Sequence, residues 1–163
     1  MMRLLGFASL LGAALLQVTW APGLTVWGAY PNLVLLMVVV ITWSNGARAG
    51  MLWACWGGVL LDLTGPGPLG PHALALLAGA YVTGIWARNV DAGSLYQPVL
   101  ATAVTTALYS LILIGSDDTL GLPVPPLGVA LQLTAAASIY NAALMLPLLL
   151  IVRRALPVRR QPA

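Results

Sequence analysis

The chain has 163 residues, of which 60% are hydrophobic and only 7% are charged, and its formal net charge is +3. A soluble domain has about 25% charged residues, so this composition excludes an ordinary water-soluble shell and favours a single membrane domain. Every basic residue is an arginine and no basic stripe follows a helix, so we expect no binding to nucleic acid.

Six apolar runs have roughly the length needed to cross a bilayer, which is about 17–25 residues. The first follows Arg3 and resembles a signal peptide, but it is long enough to span and we expect an uncleaved helix. Thr64–Pro71 is too rich in proline and glycine to be helical. We predict one all-α domain over residues 1–163, a compact bundle of about six transmembrane helices, with spans at 4–20, 27–44, 49–63, 72–87, 96–115 and 127–152.

The charges predict the orientation of the spans. If the N-terminus is cytoplasmic, six spans put all seven arginines inside, and the outer side carries Asp62, Asp117 and Asp118. Cytoplasmic segments of membrane proteins are enriched in basic residues. The reverse orientation puts every arginine outside, and an odd number of spans separates Arg3 from the C-terminal arginines. We therefore predict that both termini are cytoplasmic.

The third run carries a strip of small residues. Gly50, Ala54 and Gly58 recur every four residues, Gly57 widens the strip, and Asp62 continues it. Small residues at this interval let helix backbones approach closely, so we predict that the third helix lies near the centre of the bundle. Asp62 either caps the following turn or binds a partner, because a carboxylate beside hydrocarbon needs compensation.

Later runs repeat the small-residue spacing. Ala75 and Gly79 form one pair in the fourth run, while Gln132 and Asn141 add polar groups to the last run. Such residues usually serve packing and hydrogen bonding between helices of one chain. Contact with a helix of another protein is the alternative.

The sequence offers no recognisable catalytic constellation. His72 is the only histidine and there is no glutamate, so a zinc site has too few ligands. A catalytic triad would need His72 with Asp62 or Asp117 and an activated serine, and no nucleophile motif is present. We expect no metal, no cofactor and no enzymatic activity.

Several segments resemble the bacterial rod shape-determining protein MreD family. They are Pro31–Leu36, the run Gly57–Leu63 that ends on Asp62-Leu63, then Leu69-Gly70, and Ala73–Gly84. The resemblance implies a non-enzymatic scaffold in the bacterial inner membrane that supports lateral peptidoglycan synthesis. It also implies an MreC-like partner with one span and a large outer domain, together with a RodA-type glycosyltransferase, a class B penicillin-binding protein and MreB.

The small-residue strips and this resemblance together predict a partner-binding region. Its members are Gly50, Ala54, Gly57, Gly58, Asp62, Gly70, Ala75 and Gly79.

Two other readings of the sequence remain open. The layout is similar to the substrate-binding subunits of energy-coupling-factor vitamin transporters. Such a protein should gather several polar groups around an outer cavity. The nearest candidates for that role are Asn32, Asp62, His72 and Tyr81. The third possibility is a membrane protein that shares only the composition of these two families.

The orientation is testable by cysteine labelling in a Cys55→Ala background. A cysteine added beside Asp117 should react with a membrane-impermeant maleimide in intact cells, because the charges place that loop outside. A cysteine added at the C-terminus should react only after lysis. Labelling of the C-terminal cysteine in intact cells would contradict the orientation.

Overall fold

The structure, a computed structural model, describes residues 2–65, 67–90 and 94–155. Within these ranges the chain is all-helical and has no strand, as the sequence predicts. The helices are α1 (Met2–Thr19), a 3-10 turn (Ala21–Leu24), α2 (Leu33–Asn45), α3 (Ala47–Thr64), α4 (Pro71–Arg88), α5 (Tyr96–Thr119) and α6 (Leu127–Ala155). By length and composition, two segments of the described chain can cross a membrane, Tyr96–Thr119 and Leu127–Val152.

Helices that follow one another in the chain run antiparallel, and the acidic and basic residues lie at opposite ends of the bundle. Asp62 at the end of α3 lies beside the start of α4, while Gly84 near the end of α4 packs on Ala47 at the start of α3. One end of the bundle, where α3 and α5 finish and α4 and α6 begin, is called the acidic end because it carries Asp62, Asp117 and Asp118. The opposite, basic end carries Arg48, Arg88 and Arg154; Arg159 and Arg160 lie outside the described residues.

The central helix is α2, and the prediction that α3 would occupy this place is wrong. Within the described chain α2 is the only helix that packs against all five others, whereas α3 contacts α1, α2 and α4. Most of its side chains are buried, including Val34, Val38 and Val39. A helix that is apolar all round belongs inside a bundle, and this uniform apolarity was a stronger signal than the small-residue strip.

The segment before α2 is not helical, so the predicted start of the second span at residue 27 is wrong. Trp27 and Gly28 have φ angles of 52° and 80°, and the backbones of Val26 and Ala29 pair across this tight turn. Positive φ at both central residues is typical of a two-residue hairpin turn. Pro31 then precedes Asn32, whose side chain caps α2.

The last long hairpin extends farther than the sequence indicates. Asp117 and Asp118, which we assigned to a loop, lie in the final turns of α5. Tyr109 of α5 is beside His72 in the first turn of α4, so residues 110–119 continue past the start of α4. The α5–α6 hairpin therefore projects beyond the rest of the acidic end.

Glycines hold α3 against its neighbours at distances that no other residue permits. A Cβ atom at Gly58 would lie 2.6 Å from the backbone nitrogen of Ala73 in α4, and one at Gly57 would lie 2.7 Å from Cγ1 of Val34 in α2. Contacts this short do not occur between real atoms, so both positions need glycine. The small-residue strip thus packs helices of the same chain.

Large apolar side chains cover the outer faces of the described helices other than α2. Examples are Leu15 on α1, Leu52 and Trp56 on α3, Leu111 on α5 and Ile151 on α6, each exposed by more than half or close to it. Exposed apolar area of this extent is typical of a surface that contacts lipid or another protein.

We expect Gly58→Leu to prevent normal packing of α3 on α4. The clash involves backbone atoms of Ala73, which cannot rotate away, so the loss of stability should reach about 3 kcal/mol or more. Gly115→Leu on α5 is the matched control, because nothing lies within 4 Å of a Cβ at that position. Thermal unfolding in mild detergent measures both. Equal unfolding temperatures for the two variants would contradict this packing.

Candidate functional site

The start of α4 is capped by a carboxylate from α3. Asp62, which is 4% exposed, accepts hydrogen bonds from the backbone N–H groups of His72 at 3.0 Å and of Ala73 at 3.2 Å. These are among the N–H groups that have no partner within a helix, and the positive end of the helix dipole favours an anion there. Asp62 therefore caps the following helix, one of the two roles its position predicted.

The His72 side chain points to α5 rather than to Asp62. Its Nδ1 atom is hydrogen-bonded to the Tyr109 hydroxyl at 2.6 Å, and the two rings stack with centroids 5.9 Å apart. Deeper in the bundle, the hydroxyls of Thr83 and Thr105 share a 2.9 Å bond between the same two helices. This histidine thus fixes the spacing of α4 and α5 at the acidic end.

The N–H groups at the start of α2 are satisfied by side chains from two other helices. The Val34 N–H donates to Gln17 Oε1 of α1 at 3.0 Å, and the Asn32 N–H donates to Asn141 Oδ1 of α6 at 2.9 Å. The Asn141 amide then donates to the Thr106 hydroxyl of α5 at 3.3 Å. Because all these groups are buried, each bond removes the large penalty of an unsatisfied polar group.

A partly open cavity of about 380 Å³ lies between these capped helix ends and the projecting α5–α6 hairpin. Its floor includes Asn32 and His72, and one side is closed by the turn at Gly28–Ala29, which packs on Leu133 of α6. Its polar lining is contributed by four helices and the segment before α2: Gln17, Tyr30, Asn32, His72, Thr106, Tyr109, Ser110, Asp117, Thr134 and Asn141. Size and mixed lining are those of a ligand or peptide pocket.

The predicted partner-binding residues lie mostly inside the chain. Gly50, Ala54, Gly57, Gly58, Asp62, Ala75 and Gly79 are all buried by this chain's own helices. Gly70 is exposed and has a φ of 119°. Of the eight, a partner can reach only Gly70 without displacing a helix.

The sequence predicted some of the residues that line the cavity. Asn32 and His72 line it as the vitamin-binder alternative expected, whereas Tyr81 is 58% exposed on α4 and is not part of the lining. Asn141 is buried as a polar contact between helices, but Gln132 is exposed. The residues missed were Gln17, Thr106, Tyr109, Ser110 and Thr134. Their signal in the sequence is only that polar groups interrupt apolar runs.

Among the described residues, no group of three histidine, cysteine or acidic side chains is placed to hold a metal ion. No family model, no curated protein and no solved structure matches this chain.

We expect Asp62→Asn to destabilise the protein, because an amide offers only one acceptor oxygen and no charge to the start of α4. Loss of one charged capping interaction costs about 1–2 kcal/mol. Asp118→Asn, the same substitution at an exposed position, should leave the unfolding temperature in detergent unchanged. A similar unfolding temperature for Asp62→Asn and the wild type would contradict the capping interaction.

Proposed function

We propose that this protein is a non-enzymatic scaffold of the bacterial inner membrane, of the MreD type, and that it holds an MreC-like partner at its acidic end. The observation that carries the proposal is the polar cavity at that end. An MreC-like protein has its bulk outside the membrane, so a scaffold for it needs a binding site on the outer side. The RodA-type glycosyltransferase, the class B penicillin-binding protein and MreB are proposed as further members of the assembly.

We further propose that all six helices are embedded in the bilayer, with the basic end in the cytoplasm. The separation of Arg48, Arg88 and Arg154 from the three aspartates supports this orientation. With 13 residues, α2 is only about 20 Å long, less than the hydrocarbon thickness. Its central place compensates, because the other five helices separate it from lipid.

The end of the irregular segment before α2 is compatible with membrane depth, because Ala29, Pro31 and Asn32 are buried. Asn32 at the start of α2 lies beside Asn141, in the middle of α6, so this segment dips well into the bundle. Non-helical backbone is tolerated at that depth only where it is buried in protein or lines a cavity. Here Val26 and Ala29 bond to each other, and Tyr140 donates to the Leu24 carbonyl at 3.0 Å.

The segments that resemble the MreD family support the same conclusion. In the structure their residues build the acidic end: Gly58 permits the contact with Ala73, Asp62 caps α4, and Asn32 caps α2. The resemblance therefore falls on residues that hold the starts of α2 and α4 in place, and one of them, Asn32, also lines the cavity.

A small-molecule binder of the energy-coupling-factor type is the second candidate. It is favoured by one specific observation, the convergence of polar side chains on a cavity of about 380 Å³. That volume is at the lower end of the range for small-molecule sites. Mass spectrometry of the denatured, purified protein separates the candidates, because a vitamin binder should release a stoichiometric small molecule.

The cavity is testable with a matched pair on α6. Ala137 lines the cavity, whereas Ala135 faces outward. Filling the cavity with Ala137→Phe should weaken binding of the MreC-like protein of the same bacterium by at least about tenfold, which is 1.4 kcal/mol. Ala135→Phe should bind like the wild type. The measurement is the dissociation constant of the purified proteins in lipid nanodiscs, for variants of equal unfolding temperature.

Equal binding by both phenylalanine variants would remove the cavity from the interface. Failure of the wild-type chain to bind the MreC-like protein would overturn the scaffold proposal itself.

A further inference from the structure

The cavity is lined by a carboxylate that forms no ion pair among the described residues. Asp117 is its only carboxylate, and no arginine is among its lining residues. Within the described chain the Asp117 side chain has no hydrogen bond or ion pair; only its backbone carbonyl is used, by the N–H of Leu122. Asp62, the other buried acid at this end, is already occupied by the start of α4.

Asp117 does not stabilise α5, the helix that carries it. It lies in the last turns of α5, where the negative end of the helix dipole disfavours a carboxylate. Asp118 shares this disadvantage but is exposed, so water compensates it. Asp117 instead is partly buried and faces the cavity, where a bound cation would compensate it.

Thr134 is a second polar side chain at the cavity that has no partner among the described residues. This residue lines the cavity and is 8% exposed, and its hydroxyl oxygen is buried without a hydrogen-bond partner among the described residues. Other helical hydroxyls here bond back to the carbonyl one turn earlier, as Thr102 does to Pro98 and Ser138 does to Thr134. An unused buried hydroxyl costs roughly 1–3 kcal/mol unless something binds it.

The aromatic lining fits the same occupant. Tyr109 and Tyr30 both contribute to the cavity wall. The face of a tyrosine ring attracts a cation within about 6 Å, and the attraction strengthens where water is excluded. The Asp117 carboxylate and the exposed ring of Tyr30 together favour a basic group as the occupant.

We propose that the cavity receives an arginine or lysine side chain from the MreC-like partner, with its cationic group on Asp117 and a further hydrogen bond to Thr134. This inference rests on the scaffold function proposed above. It assigns the partner's contact by chemistry, since a basic side chain both donates hydrogen bonds to the carboxylate and neutralises its charge.

Two substitutions with a shared control test the inference. Asp117→Asn should weaken binding of the MreC-like protein in nanodiscs by at least about tenfold, whereas Asp118→Asn should stay within about twofold of the wild type. Thr134→Val, which removes only the hydroxyl, should weaken binding by about threefold or more while leaving the unfolding temperature of the isolated chain equal or higher. A purely structural threonine would lower both.

The outcomes are distinct. Normal binding of the wild type with equal affinities for Asp117→Asn and Asp118→Asn overturns this inference and leaves the scaffold function standing. If Thr134→Val is less stable than the wild type but binds the MreC-like protein normally, Thr134 is not part of the contact. No binding by the wild type overturns the scaffold function, and this inference falls with it.

Discussion

The rest of the structure depends on how the first N–H groups of α2 and α4 are satisfied inside the bundle. A helix start leaves several N–H groups without partners, and in a low-dielectric interior each one costs more than a typical hydrogen bond contributes. Asp62 serves α4, while Gln17 and Asn141 join the local cap Asn32 in serving α2. These side chains come from α1, α3 and α6, so the capping bonds also fix how the bundle assembles.

The cavity follows from the same constraint. The start of α2 lies beside the middle of α6, so the chain between α1 and α2 must run from the acidic end into the bundle. The turn at Trp27–Gly28 and the segment around Pro31 make this connection. The α5–α6 hairpin extends past the starts of α2 and α4, away from the basic end. Space therefore remains between them, and the polar groups gathered to cap helices become its lining. The same residues thus cap the helices and line the cavity.

Sequence reasoning predicted the helical segments well and the cavity poorly, for physical reasons. Apolar runs bounded by proline and glycine mark helices directly, so five of the six predicted spans agree with helices to within a few residues. Gly28, Pro31 and Asn32 interrupt the apolar residues before α2, and the tight turn and the cap in this segment start the helix only at Leu33. Thr106, Tyr109, Thr134 and Asn141 are isolated in sequence, and packing alone brings them together.

The central claim is that the MreC-like partner occupies the cavity at the acidic end. Site-specific photo-crosslinking in the native membrane tests it most directly, with a benzophenone amino acid at Leu133, which lines the cavity, or at Leu131, which faces outward on the same helix. We expect a crosslink to the MreC-like protein, identified by antibody, from position 133 and none from position 131. Crosslinking from position 131 alone, or from neither position, would contradict it.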